Sequence, residues 1–453
     1  MKKRAFLKMA GVAGAGSVLS PLGIWGAKSK VADKLKNWAG NIEYSTEKLY
    51  SAKSVAEVKE YVQKQSKMKV LGTRHCFNTI ADSKDGFLSL TEMHDELVLD
   101  KAARTVTVDA NMTYGKLAPW LEERGFALHN LASLPHISVA GAVSTGTHGS
   151  GEKNGNLSSA VRGLEMVTAA GKVVEFAKQK NGERLHAAVV GLGALGAMTK
   201  VTLEVQPTFH VKQYVYENMP LEAALAHFDE IQASGYSVSL FTDWRNNNVN
   251  EVWIKERVDG AKEFVAKPEW FGAKLATKNL HPIAELSAEN CTEQMGVAGP
   301  WYERLPHFKM GFTPSAGKEL QSEFFVPRRD AVTAIGAVEK LHEKISPHLM
   351  ITEIRTIAAD DLWMSPCYRQ DSVAIHFTWQ QDWTAVRAIL PEIEKTLTPF
   401  GVRPHWGKLF TIEPAVLRSR YTKLPEFVDL AKELDARGKF RNEFLSKNIF
   451  GAA

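Results

Sequence analysis

Two stretches of this chain combine small residues and histidine in a way that suits an anion. In the first, Val70-Leu71-Gly72-Thr73-Arg74-His75-Cys76-Phe77-Asn78, an apolar strand runs into a glycine and the turn then presents a histidine. Glycine lets backbone N–H groups approach a phosphate closely. The second, residues 133–151, reads SLPHISVAGAVSTGTHGSG: it is rich in Gly, Ser and Thr and nearly free of charge. It offers main-chain donors and hydroxyls at short range, the nest a pyrophosphate needs. A solvated loop would have no use for Ile137, Val139 and Val143. Further along, Glu353 and Arg355 lie two apart in a stretch that reads as a strand, so their side chains share a face. They offer an acceptor and a donor to adjacent hydroxyls while compensating each other's charge; a purely structural salt bridge is the alternative.

Other patterns carry less. Gly191-Leu192-Gly193-Ala194-Leu195-Gly196 fits the dinucleotide fingerprint, but Met198 to Val205 alternate and are β-branched, so a strand follows where the fingerprint needs a helix. His342-Glu343 with His348 has the wrong spacing for a zinc helix, and Pro347 interrupts it. No metal site is expected. Cys76, Cys291 and Cys367 form neither a CxxC pair nor a disulfide framework. Asn156-Leu157-Ser158 and Asn290-Cys291-Thr292 are glycosylation sequons by pattern only.

The elements that must position these loops follow from periodicity. A short strand near Leu49-Tyr50 precedes Ser54-Val55-Ala56-Glu57, whose capping-box spacing opens a helix with Val55, Val58 and Val62 on one face. A buried strand at 68–71 closes a compact β-α-β unit at Gly72. Residues 105–110 alternate as a strand, and Tyr114 to Arg124 reads as a helix with Leu117, Trp120 and Leu121 on one side. Residues 164–177 form a hairpin about Ala170-Gly171, and 197–206 form a strand ended by Pro207. Beyond it, strands such as Ser237–Phe241 and Ser372–Phe377 sit among irregular stretches rich in Trp and Pro. A domain boundary is placed near 207.

The 453 residues carry a formal charge of +5, and the first 28 hold five basic residues (Lys2, Lys3, Arg4, Lys8, Lys28) and no acidic one, so the remainder is close to neutral. Nothing points to nucleic acid or to a membrane domain. Residues 1–28 read as an export signal: a basic start, then an uncharged, Gly-rich stretch from Met9 to Gly26. Lys3-Arg4-Ala5-Phe6-Leu7-Lys8 resembles a twin-arginine signal with Lys3 in place of the first arginine. That route exports folded proteins and would place the protein in the periplasm or outside the cell; an ordinary secretory signal or an uncleaved anchor is the alternative, and without a signal the protein would be cytoplasmic. No cleavage site is identified.

Together the two loops resemble the vanillyl-alcohol-oxidase (PCMH) type of FAD-binding domain, and most closely the alditol and aldonolactone oxidases. Glu353-Ile354-Arg355-Thr356, His376-Phe377-Thr378-Trp379 and Arg403-Pro404-His405-Trp406-Gly407-Lys408 carry the resemblance through the rest of the chain. With Ser133, the first two look like the alditol (xylitol/sorbitol) oxidases. The resemblance implies an α+β fold: an FAD-binding domain at 37–207, a sheet-based substrate (cap) domain at 208–412, and a C-terminal segment at 413–453 returning to the first. His75 would be joined covalently to the flavin. Val70, Leu71, Gly72, Thr73, Arg74, Cys76, Ser133, Ser138, Gly141, Thr145, Gly146, Thr147, His148, Ala197, Met198 and His405 would surround the cofactor. Ser133, Glu353, Arg355 and Thr378 would bind substrate hydroxyls, and Lys408, His376 and His405 would sit at the flavin's reactive face.

The expected partners are FAD, a small polyol and O2, with the oligomeric state open. A desolvated lysine or a histidine suits proton abstraction there, and a cation suits the reduced ring. An aldonolactone oxidase, or a dehydrogenase with another acceptor, shares the histidine loop and the lysine run. A non-catalytic secreted flavin carrier would keep the loops but has no need of Lys408, Glu353 or Arg355. The chain departs from the family at Arg74 (usually glycine), Cys76 (usually serine) and Ala436, where Asp435-Ala436-Arg437-Gly438-Lys439-Phe440 lacks the common proline. Cys76 is not expected to make a second flavin link, because that cysteine belongs to the later loop and 131–141 contain none.

Overall fold

Ser54 starts the first helix as its type dictates. In the computed structural model it caps Val55–Lys64 by accepting from the Glu57 N–H at 3.2 Å, while Glu57 Oε2 accepts from the Lys53 N–H. The structure describes residues 34–93, 97–260, 264–310 and 318–451. The signal-like stretch 1–28 lies outside the described residues. Lys34 is the described part of a short N-terminal unit, Met1–Lys34; everything below concerns the second unit, Leu35–Ala453.

The helix lies between Leu49–Ser51 and Lys69–Leu71, but these two strands do not pair with each other. Phe87–Ser89 runs between them, parallel to both. The β-α-β unit thus needs a third strand, and three residues are too few to show a period. Next comes a five-stranded antiparallel sheet in the order Leu97–Asp100, Thr105–Asp109, Ala197–Glu204, Val161–Val167, Val173–Ala177. Gly171, at φ +74°, makes the turn of its hairpin. The helix Tyr114–Glu122 buries Leu117 and Leu121 and tolerates Pro119.

The chain changes sheet between Glu204 and His210. Among the described residues a ten-stranded sheet takes strands from His210–Pro220 to Arg403–Pro404. It contains long strands such as Asn248–Arg257, Glu319–Pro327, Leu349–Ile357 and Ser372–Gln380. One face is apolar: Leu320, Phe324, Ile354, Ile375, Phe377 and Trp379 share a core with the helices Ala331–Glu339 and Trp383–Leu397. The second helix supplies Val386, Ile389, Leu390, Ile393 and Leu397, a stripe at helical spacing. The other face is polar and nearly as buried, so these strands lack the hydrophobic alternation of a half-exposed sheet.

Glu394 is the exception on that helix. It is buried, accepts from the Thr411 N–H and hydroxyl at 2.6 Å each, and burial pushes its carboxyl up to about 7 against those hydrogen bonds. A carboxyl raised on folding is easiest to bury while protonated. Its penalty is absent below the unfolded pKa near 4.3, grows as pH rises from there to about 7, and is constant above it. Denaturant melts of Glu394→Gln should therefore lose less stability than wild type between those pH values.

The C-terminal segment packs back on the first part of the chain. Asp435 accepts from the Lys439 and Phe440 N–H groups, the Lys439 carbonyl accepts from the Met68 N–H, and buried Lys69 donates to the Gly193 (2.8 Å) and Phe440 (3.2 Å) carbonyls. Among the described residues no helix is long and apolar enough to cross a membrane.

Candidate active site

A cavity of about 720 Å³ runs from the two small-residue loops to the polar face of the ten-stranded sheet. At the loop end, the Ser138 N–H donates to Thr73 Oγ1 at 3.2 Å and ties the loops together. Ser138 then caps a short helix, Val139–Thr145. Its own Oγ is buried without a protein partner, and a Cβ on Gly141 would stand 2.8 Å from it, one on Gly72 3.0 Å. Glycine keeps both approaches open around an unsatisfied hydroxyl, and Thr145 and Thr147 add hydroxyls to the same wall. These donors fit the phosphates of FAD.

Arg74 adopts φ +65°, the left-handed conformation that favours glycine. Its carbonyl accepts from the Trp38 N–H at 2.8 Å. Trp38 in turn stacks on His75, with centroids 4.8 Å apart, and His136 lies 4.5 Å away on another side. Burial, then His136 and Arg74, push His75 down to about 3, so its imidazole is neutral near pH 7. Burial holds the Cys76 thiol at about 11, protonated and a poor nucleophile.

The histidine loop grips the lysine run. Asn78 Nδ2 donates to the Trp406 and Lys408 carbonyls, and the Phe77 N–H to the Gly407 carbonyl. That run lies along Glu319–Pro327, with the His405 N–H on the Glu323 carbonyl and the Leu409 N–H on the Gln321 carbonyl. Lys408 is thereby delivered to Glu323.

Strand register does the rest. Phe241, Glu353, His376 and Glu323 stand abreast in one row; Ser239, Arg355, Ala374 and Phe325 form the next, and Ile351, Thr378 and Gln321 another on the same face. Glu323 is the hub: Lys408 Nζ donates to Oε2 at 2.7 Å, Arg355 Nη2 to Oε1 at 2.9 Å, and His148 Nε2 lies 3.1 Å from Oε1. Burial alone would raise Glu323, but Lys408, His148 and Arg355 outweigh it and hold the carboxyl well below its ordinary value. Glu353 is held down likewise, against burial, by Arg355 and His307. His307 Nε2 meets its Oε1 at 2.7 Å, and His376 Nδ1 lies 3.8 Å from its Oε2.

Burial, then Lys408, push His376 down to about 4; its Nε2 is buried and unpartnered in the cavity wall. Burial also lowers Lys408 and His405, the latter to well below its usual range. His405 Nδ1 accepts from the Gly407 N–H. The wall thus joins two carboxylates, two cations and neutral imidazoles along the cavity, an arrangement able to hold hydroxyls and take up a proton.

Nearly all the residues expected from the sequence meet here. Val70 through Cys76, Ser133, Ser138, Gly141, Thr145, Thr147, His148, Met198, Glu353, Arg355, His376, Thr378, His405 and Lys408 all line the one cavity. Gly146 and Ala197 do not. Gly146 ends the short helix in the left-handed region, φ +71°, and Ala197 is a fully buried sheet residue paired with Val167. The 191–196 loop, dismissed above as a fingerprint, does reach the cavity through Leu192, Gly193 and Gly196, and a strand follows it as expected. Glu323, His307 and Trp38 were missed. Polar Glu319, Gln321 and Glu323 at every second place could have pointed to Glu323; no signal marked the others. Among the described residues no group of acidic, His or Cys side chains could hold a metal.

Two family models match: an FAD binding domain over residues 49–177 and D-arabinono-1,4-lactone oxidase over 309–448. The chain is 46% identical over 418 residues to an alditol oxidase of Streptomyces sp. (strain IKD472 / FERM P-14339), covering 92% of this chain and 99% of that one. It is 27% identical to mouse (Mus musculus) L-gulonolactone oxidase, covering 92% and 98%. A solved solvent-stable cholesterol oxidase superposes with a TM-score of 0.74 at 14% identity, covering 91% and 96%, a likeness of fold.

Proposed function

Because the chain belongs to the alditol oxidase family of FAD-dependent oxidases, we propose that it oxidises the terminal CH2OH of an alditol, of the xylitol or sorbitol class. The products are the aldose and, with O2 as acceptor, H2O2. One observation carries the reading: His376 Nε2 stands buried and unpartnered between cations and carboxylates. With Nδ1 turned to Glu353, the neutral ring keeps its Nε2 lone pair for the proton of the reacting hydroxyl. Arg355 and Lys408 steady the negative charge that grows on that oxygen. Glu353, Thr378 and Ser133 hold the other hydroxyls, and the desolvated wall keeps water from competing for them. Bound FAD supplies the hydride acceptor.

Anaerobic mixing with xylitol or sorbitol tests this: the flavin should bleach, and an unbleached flavin rejects the substrate class. The family model for D-arabinono-1,4-lactone oxidase spans the same strands and favours a second reading. Faster bleaching by an aldonolactone than by any alditol would select it.

FAD is attached through His75 in this reading. A neutral imidazole clamped by Trp38 and His136 would have a lone pair for the flavin's 8α carbon, that carbon losing a proton and the electron pair passing by way of the flavin to O2. Acid-precipitated wild type should give a yellow pellet and His75→Ala a colourless one; free flavin from wild type refutes the linkage. Residues 1–28 serve as a twin-arginine-type export signal, suiting a protein that must load its cofactor before crossing a membrane. Cell fractionation should find the enzyme in the periplasm, and in the cytoplasm when 2–28 are deleted.

A further inference from the structure

Behind Glu353 lies a buried pair that the mechanism above does not use. Lys255, on Asn248–Arg257, is 1% exposed. Its Nζ donates to the Leu305 carbonyl at 2.6 Å and the Pro306 carbonyl at 3.0 Å, and lies 3.2 Å from His307 Nδ1. Three acceptors match the three hydrogens of an ammonium. With Nδ1 accepting, a neutral imidazole carries its proton on Nε2, and Nε2 faces Glu353 Oε1 at 2.7 Å. The ring cannot turn freely: Phe241 and Trp253 pack edge-on, at 5.4 and 5.2 Å between centroids. The hydrogens all point one way, from Lys255 through His307 to Glu353.

We propose that Lys255 and His307 are positioning residues, a buried relay that fixes the His307 tautomer and so holds Glu353 ionised and aimed at the substrate hydroxyls. The proposal rests on the polyol reading of the same site. A plain core packing role would not need this directionality, nor a charge at Lys255.

The groups facing Lys255 are Glu353 and Cys291, which favour its charge, and Arg355, which opposes it; burial, the largest influence, pushes it down to about 7. Above that pH the amine keeps two hydrogens and gains a lone pair, and Nδ1 is no longer obliged to accept. The KM for a polyol should therefore rise as pH rises through about 7.

The test uses the FAD-loaded enzyme. Lys255→Met should raise the KM for xylitol about tenfold with little change in kcat, the cost of one charge-assisted hydrogen bond, and should abolish the KM rise above neutrality. In a Glu353→Gln background the same change should add almost nothing, because both act through one carboxylate. His307→Gln, which keeps an N–H donor, should restore most of what His307→Phe loses. Nitrogen-15 NMR should find His307 protonated at Nε2 in wild type and not uniquely so in Lys255→Met. If Lys255→Met does not fold, Lys255→Gln and the His307 pair complete the same cycle. Additive losses in the Glu353→Gln background, or an Nδ1-protonated His307 in wild type, overturn the relay. Failure of xylitol to bleach wild type overturns the polyol reading instead, and the NMR result then judges the relay alone.

Discussion

His376→Leu should slow reduction of the flavin by xylitol by about 10²–10⁴-fold, the usual worth of a general base, and leave FAD loading and Tm close to wild type. Leucine is close to the imidazole side chain in size, and His376 Nε2 gives up no protein hydrogen bond. Burial and Lys408 hold the imidazole at about 4, so the base is competent at neutral pH. The wild-type rate should fall only as pH drops through about 4, and the variant's residual rate should be flat there. Stopped-flow traces under nitrogen read both. A loss below about tenfold would hand the proton to Lys408 or His405.

Glu323→Gln should be the most destabilising polar substitution in the wall, by about 3–5 kcal/mol, because it strands buried charges that had one shared acceptor. Lys408 and Arg355 both donate to this carboxylate, which is fully enclosed. The amide retains one acceptor oxygen and turns an N–H₂ on the other cation. Lys408→Met removes only one of the two donors, so Glu323 keeps Arg355. It should cost less stability than Glu323→Gln, and still lower kcat/KM. Denaturant melts of the two variants compare the costs; equal losses would mean that Glu323 is not the hub.

Local chemistry in the sequence was enough to find the loops that line the cavity. Gly72, Ser138 and Gly141 act through backbone space within a few residues, and their types advertise it. The pair at Glu353 and Arg355 was legible because two residues apart on a strand means one face. Glu323, His307 and Lys255 were not, because each acquires its role from a different strand or loop, and a lysine or glutamate in a strand ordinarily marks a solvated face. The third parallel strand, Phe87–Ser89, escaped for want of length. Arg74 is instructive in another way: a glycine would have signalled the left-handed turn, whereas arginine occupies it and hides it.

Lys69 has a consequence for biosynthesis. Its side chain lines the cavity, yet its two carbonyl acceptors come from Gly193 and Phe440, the second 371 residues downstream. A nascent chain emerging from the ribosome cannot satisfy that cation until translation has passed residue 440. That corner of the cavity wall is therefore completed only by the far end of the chain, and a translation product cut short before residue 440 lacks it.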